Sequence, residues 1–151
     1  GGAAPPACAD LLIADVFGGS RVPAHLTSVE YARAAGRALR GDGIYAANLA
    51  DSAPFAFLRS QVANFAAVFP ELALIGEPAV LRGRRFGNVV LLASYAPLDL
   101  APLVRACAAD AFPARVTHGP ALTRFLGGAR PVADVDAVAS PEPPDGAFSV
   151  G

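Results

Sequence analysis

Short unbroken apolar runs, separated by segments of helical periodicity, constrain this chain most. Leu11-Leu12-Ile13-Ala14 is the first run and ends at Asp15-Val16-Phe17; residues 44–49, 72–76 and 88–94 form three more. Apolar runs this short, without polar alternation, suit strands buried on both faces, as in a sheet covered by helices. Between the first two runs, Val29, Ala32, Ala35, Gly36 and Leu39 share one helical face, with Arg33, Arg37 and Arg40 mostly on the other. Between the next two, Phe55, Leu58, Val62, Phe65 and Phe69 recur at offsets of 3, 7, 10 and 14, the clearest helical stripe in the chain.

Breaker residues set the boundaries. Thr27 and Glu30 have the spacing of a capping box, Gly41-Asp42-Gly43 stops the first helix, Ser52 and Pro54 start the second, and Pro70 ends it. The turn Arg82-Gly83-Arg84-Arg85 joins the third and fourth runs as a hairpin. Helices are expected over 100–109 and 120–126. Strands alternating with helices predict an α/β fold: a Rossmann-like, mostly parallel sheet with right-handed crossovers and a terminal antiparallel hairpin whose last strand is an edge. Residues 1–9 read as a linker or the remnant of a preceding half, 10–139 as a partial Rossmann-like domain, and 140–151 as a flexible tail.

Charge and composition exclude several classes. Twelve basic residues, all arginine, face 13 acidic ones, for a net charge of −1, which argues against a nucleic-acid binder. No apolar run approaches the ~18–20 residues of a membrane-spanning helix, although 54% of the chain is hydrophobic. Cys8 and Cys107 lie far apart and match no metal spacing, so no metal is expected. Without a secretory leader pattern, reduced thiols and a cytoplasmic location are expected.

A nucleotide site in such a sheet needs a glycine-rich turn after a strand and an acidic residue farther on. Gly41-Asp42-Gly43 follows a helix, and Gly18-Gly19 follows a strand but lacks the third glycine. No cofactor-binding residue is assigned.

The residues from Ala9 to Ser20, ADLLIADVFGGS, and then Pro23-Ala24-His25-Leu26-Thr27, resemble the core of spermidine synthase-like proteins. These are aminopropyltransferases built on the S-adenosylmethionine-dependent methyltransferase fold. Leu39-Arg40-Gly41-Asp42-Gly43-Ile44 is similar to that family's turn into its next strand. Asn48 and residues 131–136 also match its layout. The resemblance covers about 10–136 and implies the C-terminal half of the fold, with the nucleoside-binding half, upstream of Asp10 in the family, not represented. Such a fragment is expected to be inactive alone.

The resemblance implies aminopropyl transfer from decarboxylated S-adenosylmethionine, a co-substrate and not a tightly bound cofactor, to a polyamine. Asp15 matches the family's base, which takes a proton from an amine whose ordinary pKa is near ~10. Gly18 stands where the family has a second Asp, and so cannot hold a cation. Two other readings stay open: a non-catalytic domain for dimerisation or partner binding, and an ordinary methyltransferase using S-adenosylmethionine. A small-molecule amine is the expected partner, and a homodimer is expected from the open side of the first strand.

Around Asp15, Asn48 and His25 are the candidate substrate-binding residues. Asn48 stands near the carboxyl end of the second run, and His25 lies beside the Asp15 segment. Tyr45 reads as core, Asp10 as solvated and His118 as without a role. Arg82, Arg84 and Arg85 read as a solvated turn.

Overall fold

The computed structural model describes residues 9–14, 23–111 and 113–144, the first of these by its backbone. Five strands form one sheet: β1 (Ala9–Ala14), β2 (Leu39–Asp51), β3 (Glu71–Gly76), β4 (Gly87–Ser94) and β5 (Arg115–His118). The helices are α1 (Val29–Ala38), α2 (Ala56–Ala66), α3 (Pro78–Leu81), α4 (Ala101–Ala109) and α5 (Gly119–Leu126). The α/β alternation expected from the apolar runs is present through β4.

The sheet is not mostly parallel. Its order is β1-β2-β4-β3-β5, and only β1–β2 of the four pairings is parallel. β3 and β4 do pair antiparallel, Leu74 opposite Leu91, but β4 is no edge: it lies between β2 and β3. Its sequence explains the position. Val89, Leu91 and Ala93 enter the core on one face while Val90 and Leu92 are half-buried on the other, so both faces are apolar and an edge would waste them. The edge falls instead to β5, four half-buried or exposed residues that no apolar run announced.

The core lies on one face of the sheet. Tyr45, Ala47 and Leu49 of β2, Leu74 of β3 and Val89 and Leu91 of β4 pack with Ala32 and Ala35 of α1 and with α2. The aromatic stripe behaves as its spacing requires: Phe55, Leu58, Val62, Phe65 and Phe69 are all buried. Tyr45 stacks on Phe65 at 4.6 Å between ring centroids, and Phe69 meets Tyr95 at 4.7 Å. The Tyr45 hydroxyl donates to that of Tyr31 at 3.2 Å, and burial is the main cause pushing its pKa upward, with the Tyr31 bond adding to it.

Two helix starts differ from expectation. Ser28, not Thr27, caps α1, its hydroxyl accepting the Tyr31 N–H at 3.2 Å. Thr27 instead aims its hydroxyl at Ala24 O and Val138 O, and Glu30 accepts the Asp134 N–H. The capping box gives way because both side chains find longer-range backbone partners. Pro54 lies before α2, not in its first turn; the Ala53–Pro54 peptide is cis and Phe55 is left-handed at φ 64°. Gly41-Asp42-Gly43 belongs to β2, in a stretch where its register with β1 shifts.

Residues 131–140 are fastened across the helices. Asn64 accepts the Val132 N–H, Val132 O accepts the Val29 N–H at 2.7 Å, and Asn64 and Gln61 both donate to Thr27 O at 2.9 Å. Ser140, at the start of the expected tail, is 1% exposed.

Candidate functional site

β1, β2 and β3 run in one direction, as their pairings require, so their carboxyl ends share one edge of the sheet. Ligands of open α/β sheets bind beyond that edge. β1 ends there at Ala14, which pairs with Ala47, the residue before Asn48. Asp15 and Gly18 lie outside the described residues, and Asp10 falls inside β1.

Asn48 lies on the face of β2 opposite the helical core, since Tyr45, Ala47 and Leu49 occupy the core face. The residue is half-buried, and its side-chain oxygen is fully buried with no hydrogen-bond partner among the described residues. A buried acceptor left unpaired costs about 1–3 kcal/mol, so it needs an explanation. A ligand N–H supplies one.

His25 sits exposed on the 3-10 turn Ala24–Leu26 and makes no hydrogen bond among the described residues. No contact joins it to Asn48 there. Tyr45 is 1% exposed and belongs to the core. His118 precedes α5 and is exposed.

Asp51 was not singled out by the sequence, yet it is the one buried carboxylate among the described residues, 5% exposed. It ends β2, and its two oxygens accept the Ser52 N–H at 2.8 Å and the Leu58 N–H at 2.9 Å. This satisfies an orphan amide in the first turn of α2, a cap that works from five residues before the helix. The signal available was an Asp closing an apolar run just before Ser52. Each oxygen retains acceptor capacity.

Asp51 also lines a groove of about 510 Å³, within the usual range for small-molecule sites. Pro54 and Phe57 form one wall, and Val132 and Val138 the other. The polar bonds that fasten 131–138 to α1 and α2 therefore hold one wall of the groove in place. The edge thus carries an unpaired amide oxygen on the face of β2 away from the helices and, on the helical face, a buried carboxylate beside an apolar cleft. Among the described residues, no group of three or more His, Cys, Asp or Glu is placed to hold a metal ion. None of their helices is long and apolar enough to cross a membrane.

Comparison with solved structures finds a crystal structure of a probable spermidine synthase from Corynebacterium glutamicum ATCC 13032. The match has a TM-score of 0.78 and 30% sequence identity, and covers 92% of this chain and 51% of that one. The fold is therefore spermidine synthase-like, and this chain spans about half the length of that neighbour. No family model and no curated protein matches the chain.

Proposed function

We propose that this chain is the acceptor side of a spermidine synthase-like transferase, moving an aminopropyl group from decarboxylated S-adenosylmethionine to an amine. The buried, unpaired oxygen of Asn48 at the carboxyl edge of β2 carries the reading, because it is a ready acceptor for an amine N–H. In the reaction the amine nitrogen attacks the propyl carbon bonded to the sulfonium. The C–S bond breaks, its electron pair stays on sulfur, and the amine gives up a proton. Asp15, next along the chain from β1, is the assigned base; Asn48 orients the nitrogen.

The chain spans half of its neighbour, and the reading assigns the nucleoside pocket to the half that it does not span. Alone, the chain would bind an amine without transferring anything. A cytoplasmic setting accords with the free thiol of Cys107. A second reading, a non-catalytic domain that pairs with itself or a partner, is favoured by Gly18 in place of the family's second Asp.

The test uses the longest natural protein containing this chain. Mass spectrometry should detect aminopropyl transfer to an amine, and Asp15→Asn should lower kcat at least a hundredfold. Calorimetry with methylthioadenosine should show micromolar binding. Absence of both transfer and binding overturns the enzyme and leaves the non-catalytic domain. Methyl transfer without aminopropyl transfer identifies a methyltransferase instead.

A further inference from the structure

Asn48 begins a row of residues that crosses the sheet on the face opposite the helical core. Val90 of β4 pairs with it directly, Ile75 of β3 pairs with Val90, and Val116 of β5 pairs with Ile75. Directly paired residues share a face, and neighbouring strands stand about 4.8 Å apart, so the row extends about 14 Å from Asn48. Val90, Ile75 and Val116 are half-buried, as is Leu92, a diagonal neighbour of Asn48. The unpaired oxygen of Asn48 is thus the polar end of an apolar floor.

Charge on this face decides what can lie there. Among the described residues in the paired register, its carboxylate is Glu71, four residues from Ile75 and so about 13 Å farther along β3. Asn88, the other diagonal neighbour of Asn48, is neutral. Residues 15–22, which follow β1, contain one carboxylate, Asp15, and the transfer uses it as the base. The nitrogens of an extended four-carbon diamine are about 6 Å apart. With one nitrogen on Asn48, a second ammonium directed along the row would lose water over Val90 and stop short of Glu71. A hydrocarbon chain in the same place would instead cover half-buried apolar surface, which favours binding.

We propose that the acceptor is a monoamine with an unbranched hydrocarbon body, its nitrogen on Asn48 and its chain over Val90 and Ile75, and that these two side chains select it over a diamine. This rests on the amine-acceptor reading and narrows it. The test is NMR titration of the 151-residue chain with 1-aminohexane, 1-aminobutane and 1,4-diaminobutane, following the Asn48 side-chain amide and the methyl signals of Val90 and Ile75. The hexyl amine should shift all three residues and bind about tenfold or more tightly than the diamine, each methylene beyond the butyl amine adding about twofold to fourfold. The Val90→Thr, Ile75→Thr double variant keeps branched residues in the strands, and should reduce that preference to about threefold or less. Equal or tighter binding of the diamine, or a preference that survives the double variant, overturns the proposal and leaves the amine acceptor standing. Failure of all three amines to shift the Asn48 side-chain amide overturns both.

Discussion

The side-chain oxygen of Asn64 accepts the backbone N–H of Val132 at 2.7 Å, joining α2 to a segment 68 residues later. The same amide donates to Thr27 O, which ties the entry of α1 to both. Asn64 is 0% exposed, so neither bond competes with water. Through this side chain, one wall of the groove is attached to the helical layer.

Asn64→Ala should therefore destabilise the chain by about 2–4 kcal/mol, because it removes two buried bonds and strands the Val132 N–H. Urea unfolding should show a lower midpoint. Limited proteolysis should cut first within 131–144, and an unchanged cleavage pattern would remove the fastening role.

Asp51→Asn keeps the size of the side chain but offers one acceptor oxygen where two backbone N–H groups need one each. A loss of about 1–3 kcal/mol in chemical denaturation is expected, since one amide is left unpaired. Amide hydrogen exchange should rise first at Ser52 or Leu58. Exchange that rises evenly across the chain would mean Asp51 does not act as the cap.

Asn48→Val should behave in the opposite way. The change removes a buried acceptor without a partner and places a β-branched residue in a strand, so stability should rise by about 1 kcal/mol. Amine binding in NMR titration should weaken about tenfold. A loss of stability together with unchanged binding would return Asn48 to an ordinary structural role.

Alkaline pH offers a test of the core. Tyr45 has its pKa raised by burial first and by Tyr31 second, so the folded chain holds the phenolic proton after the unfolded chain has released it. Above about pH 10, the ordinary tyrosine value, the native state binds more protons than the unfolded one and stability falls as pH rises. The contribution is intact below that pH. It should decline by about 1.4 kcal/mol per pH unit above it, and Tyr45→Phe should flatten the slope by that amount. Identical slopes for the two chains between pH 10 and 11 would show that Tyr45 reaches solvent.

Much of the fold was legible because periodicity reports burial. The stripe from Leu58 to Phe65 is a helix face, with Phe55 and Phe69 buried just outside the helix ends, and the runs at 11–14, 44–49, 72–76 and 88–94 are strands. Asn48 was legible as a candidate from its place near a strand's carboxyl end. Partnering was less visible: Thr27 and Glu30 look like a local capping box, yet they bind Val138 and Asp134 more than 100 residues away. Asp51 escaped notice because its role as a cap depends on the chain between β2 and α2 bringing Leu58 back to it.

Local patterns in the amino acids were thus sufficient to decide the first four strands and the helical layer of α1 and α2, since those depend on neighbours within a few residues, but not β5 or α3. Strand order, the central place of β4, and the meeting of Asp51 with Val132 and Val138 in one groove were decided only by the folded chain. Apolar patterning states that a strand needs cover on both faces, but not which strands flank it or in which direction they run. That choice is made by the packing of the whole sheet.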